Sequence, residues 1–131
     1  MYMLDTNIVT ALLKNDHGVR ERLSEVSNHD VCISVITLAE MHYGLYKHPS
    51  KKRRALVDGF LKTVQALPWT ERVADAYGSM RANQEKIGCV LAPLDLQIAA
   101  HAKAENCLLV TDDRAFSRVA DLTVINWAEK P

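Results

Sequence analysis

Short apolar segments alternate with longer segments of helical periodicity along the chain. The apolar segments have the length and composition of buried strands; they are residues 2–4, 31–34, 107–111 and 122–125. The segments with helical periodicity are residues 18–27, 36–46, 51–65, 71–87 and 95–105. This alternation predicts an α/β/α sandwich, with a central parallel sheet of four or five short strands flanked by helices.

Two of the helical segments show their buried face clearly. In residues 71–87 the residues expected on one face are Val73, Ala76, Tyr77, Met80 and Gln84. In residues 51–65 they are Leu56, Val57, Phe60, Leu61 and Val64. Both sets follow the spacing of three or four residues that defines one side of a helix.

Composition limits the class of protein. With 131 residues, 48% of them hydrophobic, the chain has the size of one domain, which we expect to cover residues 1–131. No segment approaches the roughly 20 apolar residues that span a bilayer, so we expect a soluble, cytoplasmic protein. The cysteines, Cys32, Cys89 and Cys107, are odd in number and lack metal-ligand spacing, which predicts buried reduced thiols.

Acidic residues occur at positions where apolar or neutral ones would be ordinary. Asp5 and the pair Asp112–Asp113 each follow a predicted strand, and ligands of parallel sheets bind beyond the carboxyl ends of the strands. Glu40 lies on a helical face, shared with Ile36 and Tyr43, that is expected to be buried. Asp95 begins the inward stripe of its helix, and the apolar members of that stripe are Ile98, Ala99 and Ala102.

Each acid also has an interpretation that involves no chemistry. Asp5 is a suitable cap after a strand, and Asp95, two residues after a proline, is a suitable N-cap. Thr37 and Glu40 have the spacing of a capping box, and Asp112–Asp113 is typical of a turn before a short helix near Arg114. Several acids in one crevice would repel one another unless a cation neutralised them, and a hard divalent ion bound through oxygen meets that need.

Four segments, in this order, resemble the PIN-domain nucleases and, within them, the VapC toxins of type II toxin–antitoxin pairs. The segments are MLDTN at 3–7, ISVITLAE at 33–40 followed by Tyr43 and Gly44, PLDLQIAAHA at 93–102, and LVTDD at 109–113 leading to Phe116, with Trp127 near the end. Each segment alone is weakly specific, but together they span nearly the whole chain. One departure is Ala92, where relatives often have glycine.

The resemblance implies a Mg²⁺- or Mn²⁺-dependent endoribonuclease. Its catalytic acids would be Asp5, Glu40, Asp95 and Asp113, with Asp5 and Asp95 as direct metal ligands and Asp112 as an alternative to Asp113. The residues expected to line the pocket and orient ligands are Thr6, Asn7, Ser34 and Thr111. The resemblance further implies an RNA substrate such as a tRNA anticodon stem-loop, a cognate VapB-type antitoxin and a homodimer.

A dense basic run, residues 47–54, interrupts an otherwise balanced charge distribution. Because the formal net charge is zero, attraction to RNA must come from such a local cluster. The candidate RNA contacts are Lys51, Lys52, Arg53 and Arg54. The ordinary interpretation is a solvated loop and helix start.

Two other functions fit parts of the same pattern. An aspartyl-nucleophile phosphatase would need a second Asp two residues after Asp5, where the chain has Asn7. A non-catalytic PIN-like binding module would keep the fold and use the acids as helix caps. Loss of metal-dependent RNA cleavage in Asp5→Asn would exclude that second alternative.

Overall fold

A parallel five-stranded sheet forms the centre of the computed structural model, which describes residues 1–127. The strands are β1 (Tyr2–Leu4), β2 (Val31–Ser34), β3 (Gln65–Leu67), β4 (Leu108–Val110) and β5 (Val124–Ile125), in the spatial order β3-β2-β1-β4-β5. The helices are α1 (Thr6–Leu13), α2 (His17–Ser24), α3 (Val35–Lys47), α4 (Lys51–Leu61), α5 (Glu71–Lys86) and α6 (Pro93–Ala104). Short 3₁₀ turns cover Asn28–Asp30 and Arg114–Arg118.

Hydrophobic residues pack on both faces of the sheet. Successive strand residues point to opposite faces, so Met3 and Leu4 belong to different hydrophobic clusters, as do Leu109 and Val110. One cluster packs the sheet against α1, α2, α3 and α4, and the other packs it against α5 and α6. The predicted α/β/α sandwich with a parallel sheet is therefore confirmed.

Two local predictions were wrong, and two elements were not predicted. Helix α4 ends at Leu61 rather than near residue 65, and the unpredicted strand β3 follows at Gln65–Leu67. Val57, Phe60 and Val64 are buried at helical spacing across this turn, so the periodicity continues where the helix does not. Leu56, expected on the buried face of the same helix, is exposed. Helix α1 was not predicted either, although Ile8, Val9 and Leu12 form its buried side.

The other predicted elements are close to those observed. On α5, Val73, Met80 and Gln84 are buried as expected. Cys32, Cys89 and Cys107 are free thiols, two of them buried and Cys89 half-buried. Within residues 1–127, no helix has the length and apolar character that crossing a membrane requires. Residues 128–131, the end of the expected domain, lie outside the described part of the chain.

Candidate active site

Asp5 lies at the carboxyl edge of the sheet, between the end of β1 and the start of α1. Its backbone N–H donates to the Val110 carbonyl at 3.0 Å, which continues the β1–β4 ladder into the site. Its Oδ1 accepts the Ile8 N–H at 2.8 Å, and its Oδ2 accepts the Thr111 hydroxyl. The side chain is only 3% exposed. Asp5 therefore is a helix cap, as the alternative interpretation had it, and also a buried carboxyl at a strand end.

Thr111 connects Asp5 to the second acidic strand end. The Thr111 Oγ1 atom accepts the Asp113 N–H at 3.1 Å while its hydroxyl hydrogen is directed to Asp5. The Asp113 Oδ1 atom accepts the Ala115 N–H at 2.9 Å and so caps the 3₁₀ turn Arg114–Arg118. The turn predicted near Arg114 is confirmed.

Glu40 projects from the middle of α3. Thr6 Oγ1 lies 2.9 Å from Glu40 Oε1 and 3.2 Å from Thr37 Oγ1, which joins α1 to α3. The capping-box interpretation is wrong, because α3 begins at Val35 with Ser34 as its cap, and Thr37 and Glu40 are interior residues. Of the face that was expected to be buried, Ile36 and Glu40 are half-buried and Tyr43 is exposed. Helix α3 buries Thr37, Met41 and Leu45 instead.

Asp95 is the third residue of α6, so it is not the N-cap of that helix. The cap is Ala92, which provides no side-chain hydrogen bond. Asp95 is half-buried, and the stripe that it begins, formed by Ile98, Ala99 and Ala102, is fully buried. Since an acid in the first turn needs no other partner than the helix dipole, the position alone does not require a cation.

The pKa values show that the acids share one electrostatic environment. Burial raises the pKa of Asp5 to about 6; the hydrogen bonds from Thr111 and Ile8 oppose this rise, and the charges of Asp112 and Asp95 add to it. The pKa of Asp95 is raised by burial first and then by the charges of Asp113 and Glu40. Carboxylates from four distant parts of the chain therefore repel one another at this edge of the sheet.

The donor set fits a hydrated divalent ion better than a fully protein-coordinated one. Within residues 1–127, no group of three or more His, Cys, Asp or Glu side chains is arranged to hold a metal ion directly. Mg²⁺ commonly takes one or two carboxylates and retains several waters. The all-oxygen character of the acids and their mutual repulsion suit that mode of binding.

Of the residues expected to line the pocket and orient ligands, only some bond to the acidic side chains. Thr6 and Thr111 bond to acidic side chains, whereas Asn7 is exposed on the first turn of α1. Ser34 is buried, caps α3 and lies 2.6 Å from His101 Nδ1 on α6, so its hydroxyl bonds to the imidazole. His101 is buried, and the sequence did not indicate its bond to Ser34.

A cleft of about 590 Å³ extends from Glu40 between α1, α3 and α4. Thr6 and Glu40 line one part of it, and Lys52 and Arg53 line another. Lys51 and Arg54 are exposed outside this lining. The cleft thus connects the acidic cluster to part of the basic run.

The fold and this acidic edge define a class of protein that comparison with known families identifies. The family model described as PIN domain matches residues 2–122, and the chain belongs to that family. Within it the chain groups with the VapC ribonucleases. It is 36% identical to ribonuclease VapC2 of Rickettsia felis, covering 97% of this chain and 98% of that protein.

Two further comparisons agree. The chain is 35% identical to the tRNA(fMet)-specific endonuclease VapC of Shigella flexneri, covering 97% of this chain and 98% of that protein. Its fold matches the crystal structure of VapBC2 from Rickettsia felis bound to a promoter DNA fragment, with a TM-score of 0.88 and 34% identity. That match covers 96% of this chain and 98% of the other.

Proposed function

We propose that the protein is a Mg²⁺- or Mn²⁺-dependent endoribonuclease and the toxin of a type II toxin–antitoxin pair. The observation that carries the proposal is the position of Asp5 and Asp113 beyond the ends of the adjacent strands β1 and β4, where Thr111 bonds to both and Asp95 interacts electrostatically with each. Keeping such carboxylates together costs stability unless a cation offsets their charge. Membership of the VapC ribonucleases supports the same reaction.

In this proposal Asp5 and Asp95 hold the ion directly, and Glu40 and Asp113 hold its water ligands by hydrogen bonds. Thr111 fixes the orientation of the Asp5 carboxylate, since its hydroxyl donates to Oδ2. When bound, a divalent ion lowers the pKa of a water molecule and offsets phosphate charge. The expected products of such hydrolysis carry a 5′-phosphate and a 3′-hydroxyl.

RNA would approach through the cleft beside Glu40. Lys52 and Arg53 line that cleft, which supports a contact between these cations and phosphates of the bound RNA. Lys51 and Arg54 would contact RNA farther from the acids. Since one relative is a tRNA(fMet)-specific endonuclease, we propose a structured RNA such as a tRNA anticodon stem-loop as the substrate.

A VapB-type antitoxin is the proposed protein partner, and a homodimer the proposed form of the toxin. Support comes from the similarity to a VapBC2 complex. Co-expression with the protein encoded beside this one should give a stable complex in which RNA cleavage is inhibited. Recovery of the toxin without that protein would contradict the proposal.

The decisive test compares cleaved RNA ends from cells that express the wild type, Asp5→Asn or Asp75→Asn. Asp75 is an exposed acid on α5, so its substitution controls for the change of charge. We expect discrete 5′-phosphate ends with the wild type and Asp75→Asn and none with Asp5→Asn. With purified protein, EDTA should abolish cleavage and Mn²⁺ should restore it. A 2′,3′-cyclic phosphate product would contradict metal-assisted hydrolysis.

The alternative is a non-catalytic binding module, and one observation favours it. Asp5 and Asp113 do accept backbone N–H groups at helix starts, which accounts for them without chemistry. If the antitoxin-free wild type neither binds Mn²⁺ nor cuts RNA, that alternative replaces the nuclease.

A further inference from the structure

Two tyrosines on α3 are much more exposed than the other aromatic side chains of residues 1–127. Tyr43 is 63% exposed and Tyr46 is 78% exposed, whereas every other described Tyr, Phe and Trp is buried or half-buried. Large rings left in water are typical of surfaces that bind a partner. Tyr43 and Tyr46 are therefore candidates for contact with a binding partner.

The surroundings of Tyr43 are acidic on one side and basic on the other. Tyr43 lies three residues after Glu40, so it is about one turn farther along α3 and rotated by about 60° around the helix axis. The Lys47 Nζ atom lies 5.6 Å from the centroid of the Tyr43 ring. Lys47 also begins the basic run, which continues through exposed residues 51–54. Along α3 the ring thus lies between Glu40, a proposed catalytic acid, and Lys47.

We propose that Tyr43 stacks on an unpaired RNA base next to the cleaved bond, while Lys47 contacts the phosphate of the same nucleotide. A nucleotide offers both a π face and a negative charge, which match a ring with a cation beside it. Bases in a paired A-form helix are already stacked, so this contact selects loops and single-stranded RNA. The inference rests on the proposed ribonuclease function and specifies its substrate.

Tyr46 provides a matched control on the same helix. It is at least as exposed as Tyr43, but it lies six residues after Glu40 and is rotated from it by about 120°. If exposure alone determined RNA affinity, the two tyrosines would contribute equally. If proximity to the acids matters, only Tyr43 should contribute.

The test measures the affinity of a short RNA hairpin for the full chain carrying Asp5→Asn, which prevents cleavage. A second hairpin has the same stem but abasic loop nucleotides. Adding Tyr43→Ala should weaken binding of the intact hairpin by about tenfold and leave binding of the abasic hairpin unchanged. Tyr43→Phe and Tyr46→Ala should retain the affinity. The slope of log affinity against log salt should not change, because no phosphate contact is removed.

Three results would overturn the inference: no loss with Tyr43→Ala, an equal loss for both hairpins, or an equal loss with Tyr46→Ala. Weaker self-association or antitoxin binding at unchanged RNA affinity would assign the ring to a protein contact instead. Cleavage assays in the active chain separate this inference from the proposed function. If Tyr43→Ala cuts RNA as fast as the wild type, the ribonuclease function stands and the stacking role is excluded. If the wild type neither binds nor cuts RNA, both the ribonuclease function and the stacking role are excluded.

Discussion

The Asp5 carboxyl combines two requirements that conflict without a cation. Its oxygens accept bonds from Ile8 N–H and from Thr111, which favour the ionised form, but its burial and the neighbouring acids favour the neutral form. The second effect prevails and raises its pKa to about 6. The folded protein therefore holds a proton on this side chain at a pH where the unfolded chain has lost it.

The consequence for stability has a definite sign. Between pH 4 and 6 the folded state binds more protons at Asp5 than the unfolded state, so its contribution to the free energy of unfolding falls as pH rises. The rise of the Asp5 pKa from its ordinary value of 3.8 to about 6 corresponds to a change of about 3 kcal/mol in the free energy of unfolding. In EDTA, the stability of Asp5→Asn relative to the wild type should be lower at pH 4 than at pH 7. At pH 7, Asp5→Asn should be as stable as the wild type or more stable. Urea unfolding measures both.

The comparison with Asp5→Asn is needed because His101 titrates in the opposite sense. Burial lowers the pKa of His101, so its contribution to stability is lost as pH falls below the unfolded value, and this loss is common to both proteins. Adding Mg²⁺ at pH 7 should stabilise the wild type and not Asp5→Asn. A wild type that is the more stable of the two at pH 7 in EDTA would assign Asp5 to capping alone.

At the scale of elements, a buried hydrogen bond joins the two helices that carry Glu40 and Asp95. Ser34 Oγ accepts the Ile36 N–H at 3.1 Å and lies 2.6 Å from His101 Nδ1. The other ring nitrogen, Nε2, is buried and has no hydrogen-bond partner within residues 1–127. Trp69 packs edge-on against the same ring.

Replacing His101 should therefore destabilise the fold. His101→Ala leaves a cavity and a buried Ser34 hydroxyl that has lost its hydrogen-bond partner on α6, at a cost of about 2–4 kcal/mol. His42→Ala is the control, since His42 is an exposed histidine on α3. We expect a lower urea midpoint for His101→Ala and an unchanged midpoint for His42→Ala. Equal midpoints would mean that the Ser34–His101 bond does not hold α3 to α6.

The sequence predicted most elements because their periodicity matches their burial, as on α5. It failed at β3, where three residues at the sheet edge follow a helix whose apolar spacing continues through the turn. The strand ends located Asp5 and Asp113, and the inward stripe of α6 located Asp95. Nothing local could indicate the Ser34–His101 bond, because 67 residues separate its partners and only the packing of α3 on α6 brings them together.

The formal net charge of the whole molecule is zero, so its attraction to RNA depends on where the cations lie. Lys52 and Arg53 lie at the start of α4 and line the cleft that contains Glu40. Lys62 follows the last residue of α4, and Lys103 lies in the last turn of α6. Each of these helix ends leads into the amino end of a strand. The charge is the same in both pairs, but only Lys52 and Arg53 line the cleft that contains Glu40, whereas Lys103 lies 3.8 Å from Asp121.

Replacing one pair of cations at a time with alanine should show whether RNA binding depends on the position of the cations or on net charge alone. Each phosphate contact contributes about 0.7 to 0.9 to the magnitude of the slope of log affinity against log salt. Lys52→Ala with Arg53→Ala should therefore reduce that magnitude by about 1.5, while Lys62→Ala with Lys103→Ala should leave it unchanged. The measurement is RNA binding in the Asp5→Asn background over a range of salt concentrations. Equal reductions would mean that RNA responds to net charge alone, because a diffuse attraction does not distinguish one end of the sheet from the other.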